Sequence, residues 1–206
     1  MSAAGSTSCA HALSDRSTGH RSSGEAPRLV GMTARLRLIE QSDAARLARL
    51  RTRDRDCLAP FEPIRPDAFF TADGQGDAIK ALLEGHAAGR TVPMVVLDDA
   101  GDVVGQVALN SIIRGAFQSA SIAYWIAQDR AGQGLATAAV RELVELAFGE
   151  LRLHRVQAEV LPHNRASLRV LEKTGFVQYG LAPAYLHLAG RWQEHALLQL
   201  VDDDWD

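Results

Sequence analysis

A glycine pair, Gly132-Gln133-Gly134, stands between a strand-like run and a helix-like run, and it restricts the folds open to this chain more than any other feature. Before it, Ala120 to Ala127 (Ala-Ser-Ile-Ala-Tyr-Trp-Ile-Ala) reads as a strand. After it, from about 134 to 149, Leu135, Ala139, Leu143, Ala147 and Phe148 keep the three- and four-residue spacing of one buried helical face. Glycine permits backbone conformations that other residues avoid and lets a ligand approach the main chain closely. The first N–H groups of a helix have no intrahelical partner, and the helix dipole is positive there. A glycine loop opening a helix is therefore a place to bind pyrophosphate. The plain alternative is a tight strand-to-helix turn that merely needs glycine.

The flanking chain sets the context. Arg35 to Ile39 alternates with the period of a half-buried strand, and Ser42-Asp43 is expected to cap a helix running to about Arg53. The stretch 55–90 reads as irregular, punctuated by Pro60, Pro63 and Pro66, and then helical at 77–88. Val92 to Leu97 and Val103 to Leu109 form a hairpin around Asp98-Asp99-Ala100-Gly101. Further elements are a strand at 155–161 and a short helix at 165–173, with Asn164 as its cap and Gly175 just past its end. Closing strands are expected at about 176–180 and 193–201. The order is an antiparallel hairpin, then β-loop-α-β, then a hairpin. It specifies an α/β fold with a mixed sheet and helices on both faces.

Residues 1–27 hold seven serines and three glycines and almost no large apolar side chain. Such a segment cannot offset its ordering entropy by burial, so residues 1–31 are expected to be a disordered tail, with Met32 a candidate start and one domain over 32–206. At 206 residues the chain is long enough for one good core, and 47% hydrophobic with 23% charged residues is ordinary globular composition. The net charge of −3 argues against direct nucleic-acid binding, which rests on a concentrated basic surface. No apolar run is long enough to span a membrane. Cys9 and Cys57 form no C-x-x-C pair, and the seven histidines show no H-x-x-x-H spacing, so no metal is expected and the reducing cytoplasm is the natural compartment.

Two phosphate-binding readings compete. Glu159 lies 23 positions beyond Ala136, near where a dinucleotide fold places its ribose-binding acid. That fold needs successive parallel β-α-β repeats, whereas here an antiparallel hairpin precedes the loop, and the reading fails on context. Gln128-Asp129-Arg130-Ala131-Gly132-Gln133-Gly134-Leu135-Ala136-Thr137 instead resembles motif A of the GNAT superfamily of N-acetyltransferases, with Ala131 where the family prefers Arg or Gln. His163 to Phe176 resembles the same family's Asn-x-x-Ser motif, through Asn164 and Ser167, and its Gly-Phe ending. Leu58 to Pro63, Tyr124-Trp125-Ile126 and Tyr185 to His195 are similar to the RimJ/RimL type, the ribosomal-protein alanine N-acetyltransferases.

The resemblance covers roughly residues 34–206 and implies a GNAT fold: a mostly antiparallel sheet of about seven strands, splayed at the cofactor site. It implies acetyl-coenzyme A as donor, held by Ile126, Ala127, Arg130, Ala131, Gly132, Gln133, Gly134, Leu135, Ala136, Thr137, Asn164 and Ser167. Arg130 is expected to reach a phosphate, and the N–H of Ile126 or Ala127 to bond the thioester oxygen. It further implies direct attack by an amine in a ternary complex, with Ser167 the first choice as proton donor and Tyr185 the second. Tyr185 and Trp192 equally suit the wall of an acceptor channel or core. An α-amine of pKa about 7.7–8.0 is roughly a third neutral near pH 7.5, against about 0.1% for lysine, so only a modest base is needed. Glu62, His195 and Glu159 are the candidates.

The implied acceptor is the N-terminal alanine of a ribosomal protein, and the implied enzyme a cytoplasmic monomer or homodimer. Two alternatives are an acetyltransferase for a small amine such as a polyamine or antibiotic, to which Asp202-Asp203-Asp204 could contribute charge, and a non-catalytic acetyl-coenzyme A sensor.

Overall fold

The computed structural model describes residues 35–205; the expected tail and Met32 lie outside the described residues. β1 (Arg35–Leu38) leads through a 3₁₀ turn into α1 (Ala44–Arg53), followed by the short α2 (Arg55–Leu58) and by α3 (Ala72–Ala87). Then come β2 (Val92–Leu97), β3 (Val103–Ile113) and β4 (Ser119–Ile126). α4 (Leu135–Gly149), β5 (Arg155–Val160), α5 (Arg165–Lys173), β6 (Val177–Leu188) and β7 (Arg191–Val201) complete the order. The seven strands form one sheet in the order β1-β2-β3-β4-β5-β7-β6, antiparallel at every pairing except β4 with β5.

Both faces are covered, as strand alternation requires. Val95 and Val96 are adjacent and both fully buried, yet they belong to different apolar clusters. Val96 joins Leu135, Ala139, Leu143 and Ala147 of α4 and Leu171 of α5. Val95 joins Leu47 and Leu50 of α1 and Ile79 of α3 on the opposite face. Each cluster member removes apolar surface from water at about 25 cal/mol per Å², so each helix layer is held to its own face of the sheet.

Several elements differ from the sequence expectations: β3 runs on to Ile113, past the expected Leu109, and α2 lies in the stretch expected to be irregular. Ser42 and Asp43 do not cap α1 with their side chains; the Asp43 carboxylate takes the Arg37 guanidinium at 2.7 and 2.8 Å and the Glu40 N–H at 2.9 Å. The third helix begins at Ala72, not near 77, because the Thr71 hydroxyl oxygen accepts the Gly74 N–H at 3.1 Å. Gly74 and Gly76 in its first turns disguised that start. The first closing strand is far longer than expected, Val177–Leu188 against about 176–180, whereas the second starts only two residues early. β6 absorbs Gly180 and Pro183 through two register shifts, and it can do so because an edge strand has no ladder partner on its outer side. A two-residue turn at Ala189 and Gly190, both at positive φ, then returns the chain into β7.

Gly105 fixes how closely β3 approaches β4. A Cβ there would collide with the Trp125 carbonyl oxygen and lie 2.8 Å from Ile126 Cδ1. Gly105→Ala is accordingly expected to destabilise the fold by about 1–3 kcal/mol, read as a lowered denaturant midpoint with unchanged m-value. An unchanged midpoint would show that β4 has slack at this point.

Candidate active site

β4 and β5 pair only at Ser119↔Arg155, Ala120↔Val156 and Ser121↔Gln157. Beyond that, β4 continues against β3 and β5 continues against β7, so the two strands part and leave a V-shaped opening in the sheet. Strand alternation decides which groups face it. The Ala127 N–H donates to the Val104 carbonyl at 2.8 Å, so the neighbouring residue Ile126 turns its N–H the other way, toward the opening. Of the two expected oxyanion donors, Ile126 is free to serve and Ala127 is committed to β3.

The glycine loop begins where β4 ends. A 3₁₀ turn over Gln128–Arg130 is followed by Gly132 at φ 77° and Gly134 at φ 85°, conformations that an L side chain resists. Gly134 is the N-cap of α4 and offers no side-chain cap, which leaves the first-turn N–H groups at Leu135, Ala136 and Thr137 without intrahelical partners. Over a helix of 15 residues this is a concentrated positive end suited to a doubly charged pyrophosphate. Two expected contributors are occupied otherwise. The Arg130 guanidinium, expected to reach a phosphate, pairs with the buried Asp98 at 3.1 Å. The N–H groups of Arg130 and Ala131 close the 3₁₀ turn onto Ala127 and Gln128.

Across the opening, α5 presents its first turn. The Asn164 Oδ1 accepts the Ser167 N–H at 3.1 Å, so Asn164 acts as the helix cap. The Ser167 hydroxyl lies 2.8 Å from the Tyr124 hydroxyl, a pair in which either oxygen can donate, and the Tyr124 O–H also reaches the Ser167 carbonyl at 3.1 Å. Burial pushes the Tyr124 phenol up to about 12 against the pull of Ser167, so it stays a neutral hydroxyl at any working pH. Tyr124 was missed as a site residue. The signal was its place two positions before Ile126, which puts its side chain on the face packed by α4 and α5.

The expected bases fall in separate places. His195 is 1% exposed, and its Nδ1–H donates to the Gln193 carbonyl at 3.0 Å. The Tyr185 ring lies 5.9 Å from it, half-exposed, with its phenol raised by burial and by Glu159 and Tyr179 nearby. Glu159 projects from β5 and accepts the Ser121 hydroxyl. Glu62 is ion-paired with Arg51, whose guanidinium stacks 4.2 Å from the Trp125 ring centre and reaches Gln106 Oε1 at 3.3 Å. The Trp125 indole N–H donates to the same Gln106 oxygen at 2.9 Å. The Glu62 carbonyl accepts the Ala189 N–H at 2.9 Å, and Phe61 meets the His163 ring at 6.0 Å. Residues 61–62 thus tie the hairpin turn to the entrance of α5. The Asp202-Asp203-Asp204 run lies elsewhere: its Asp202 N–H donates to the carbonyl of His154, at the far end of β5 from the opening.

A strand pair that parts beside an uncapped, glycine-entered helix has known counterparts. The acetyltransferase (GNAT) domain model matches residues 34–177. The chain belongs to the GNAT family of N-acetyltransferases. It is 37% identical to a probable N-acetyltransferase, YjcK, of Bacillus subtilis, over 85% of this chain and 98% of that one. It is 30% identical to the [ribosomal protein uS5]-alanine N-acetyltransferase of Escherichia coli, over 91% and 97%. The structure of Mycobacterium smegmatis RimJ in complex with CoA-disulfide superposes with a TM-score of 0.81 at 32% identity, over 84% and 86%. The GNAT assignment fits the seven-stranded sheet and its parted strands.

Gly134→Glu adds a strained backbone and a negative charge where the helix end is most positive. Calorimetry is expected to show coenzyme A binding lost, by at least about 100-fold, in a variant that still folds; wild-type affinity would remove the loop from the site.

Proposed function

We propose that this N-acetyltransferase moves the acetyl group of acetyl-coenzyme A to the α-amine of a protein N-terminus, an alanine of a ribosomal protein. The observation that carries the donor half is the parting of β4 from β5 beside the uncapped start of α4. The acceptor half is supported by the similarity to the uS5-alanine enzyme along nearly all of both chains. A ribosomal acceptor places the reaction in the cytoplasm.

The site fits the donor residue by residue. Gly132, Gln133, Gly134 and the first-turn amides of Leu135, Ala136 and Thr137 hold the pyrophosphate, and Asn164 borders the arm at the entrance to α5. The donor supplies a thioester, an acyl group already activated toward amines. Ile126 donates its N–H to the thioester oxygen as negative charge grows there, a stabilisation that costs no reorganisation because the strand is already fixed by Val104. The amine nitrogen bonds to the acyl carbon, the C–S bond breaks, and the sulfur leaves as thiolate. Ser167 donates a hydrogen bond to the leaving sulfur, with Tyr124 holding its hydroxyl in place, and the thiolate takes its proton from water, so Ser167 and Tyr124 both stay neutral. Glu159 takes the proton released by the amine, directly or through water. Glu62, held by Arg51, lines the acceptor side without acting as base.

The placement of the acidic groups supports a protein acceptor over a small amine. The acidic C-terminal run lies away from the opening and Glu62 is ion-paired with Arg51, so neither offers a free carboxylate to a polyamine.

Thiol release from acetyl-coenzyme A, measured against four acceptors, tests the proposal. The acceptors are a free-Ala peptide, the same peptide N-blocked but bearing lysine, a polyamine and an aminoglycoside. Release is expected with the free-Ala peptide and at least about 100-fold less with the others. Release only with the polyamine or aminoglycoside would overturn the acceptor assignment, and silence with all four would favour a sensor.

A further inference from the structure

The loop over Gly132–Gly134 has the freedom of two glycines, so something must hold its approach. The structure supplies a latch between the end of α1 and the 3₁₀ turn that precedes the loop. Asp54, 2% exposed, sits at the junction of α1 and α2. Its Oδ2 accepts the Gln128 backbone N–H at 2.8 Å, the first residue of the turn. Arg53 grips the same carboxylate at 2.7 and 3.0 Å and extends to both oxygens of Asp129 at 2.8 Å. Burial alone would push the Asp54 carboxyl up, but the bonds from Arg53 and Gln128 outweigh it and hold the group below the usual carboxylate range. Neither Arg53 nor Asp54 touches the opening in the sheet, and no part of the mechanism above uses them.

We propose that Asp54 is a positioning residue for coenzyme binding: with Arg53 it fixes Gln128 and Asp129 so that the glycine loop and the start of α4 are set in place before the pyrophosphate arrives. The inference rests on the reading of that loop as the coenzyme site. Its physical basis is preorganisation. A loop ordered only on binding loses backbone entropy at that moment, about 1–2 kcal/mol for each residue fixed, and affinity falls accordingly. The Asp54 bond to Gln128 is charge-assisted and buried, which places it among the stronger hydrogen bonds. Arg53 and Asp129 are about half exposed, so their pair contributes less. Ile126 is anchored separately through the Ala127 bond to Val104, so loosening the turn leaves the oxyanion donor in place.

The test is calorimetry with coenzyme A on the full chain, together with steady-state kinetics. Asp54→Asn keeps an acceptor for the Gln128 N–H but loses the charge, and is expected to raise Kd about tenfold. Asp54→Ala is expected to raise it further, and Arg53→Gln to raise it no more than about threefold. In Asp54→Asn, kcat at saturating coenzyme and KM for the acceptor peptide stay within about twofold of wild type. Asp43→Asn is the matched control, a buried carboxylate that also holds an arginine and a backbone N–H but lies on another turn. It should lower stability without moving the coenzyme Kd. Wild-type affinity in Asp54→Asn, or an equal loss in Asp43→Asn, would overturn the latch. Failure of the wild-type chain itself to bind coenzyme A would instead overturn the loop assignment on which it rests.

Discussion

The structure depends on where one pair of strands stops pairing. β4 and β5 share three register positions and then part, and every group of the proposed site is placed by that event. Each strand pairs on its far side, β4 with β3 and β5 with β7, so the strands remain ordered while one edge of each is released inside the sheet. A released edge is ordinarily a liability, because unpaired backbone groups template aggregation. Here it lies within a single molecule, and it offers backbone donors to a ligand without any special side chain. That explains how a site can be built largely from Ile, Gly, Ala and Leu.

The polar elements around the opening serve position as much as chemistry. Arg51, Arg53, Asp54, Asp98 and Arg130 are charged residues near the reacting region, and each is matched to a partner rather than left facing the ligand. Arg51 illustrates the cost and the purpose. Burial pulls its guanidinium down, the Glu62 carboxylate pulls it back up, and its flat face lies on Trp125. Such a buried pair is weak evidence for stability but holds two elements in fixed relation. The last turn of α1 thus binds two separate segments: Arg51 holds Glu62 and lies on Trp125, while Arg53, with Asp54 just beyond the helix, holds the turn before the glycine loop.

The sequence made the order of elements along the chain, the glycine loop and the α5 cap readable because those features are local. Periodicity, a glycine pair before an amphipathic run and an Asn before a helix each lie within a short window. What escaped was long-range or contradictory in its local signal. β6 hid behind Gly180 and Pro183, which only its edge position tolerates. The start of α3 hid behind Gly74 and Gly76. Arg130 looked free to meet a phosphate because its partner, Asp98, comes from the turn between β2 and β3. His195 looked available because burial cannot be read from a single residue, and in the fold it is almost wholly enclosed. Tyr124 and Asp54 bond to Ser167 and Gln128, partners 43 and 74 positions away in the chain.

Amide hydrogen exchange with and without coenzyme A tests most directly the claim that a released strand edge and an uncapped helix end form one binding surface. The account predicts added protection at Ile126, across Gly132 to Gly134 and at Leu135, Ala136 and Thr137, while Ala127, already bonded to Val104, is unaffected. Protection confined to the outer helices, or present at Ala127 but absent from Ile126, would contradict it.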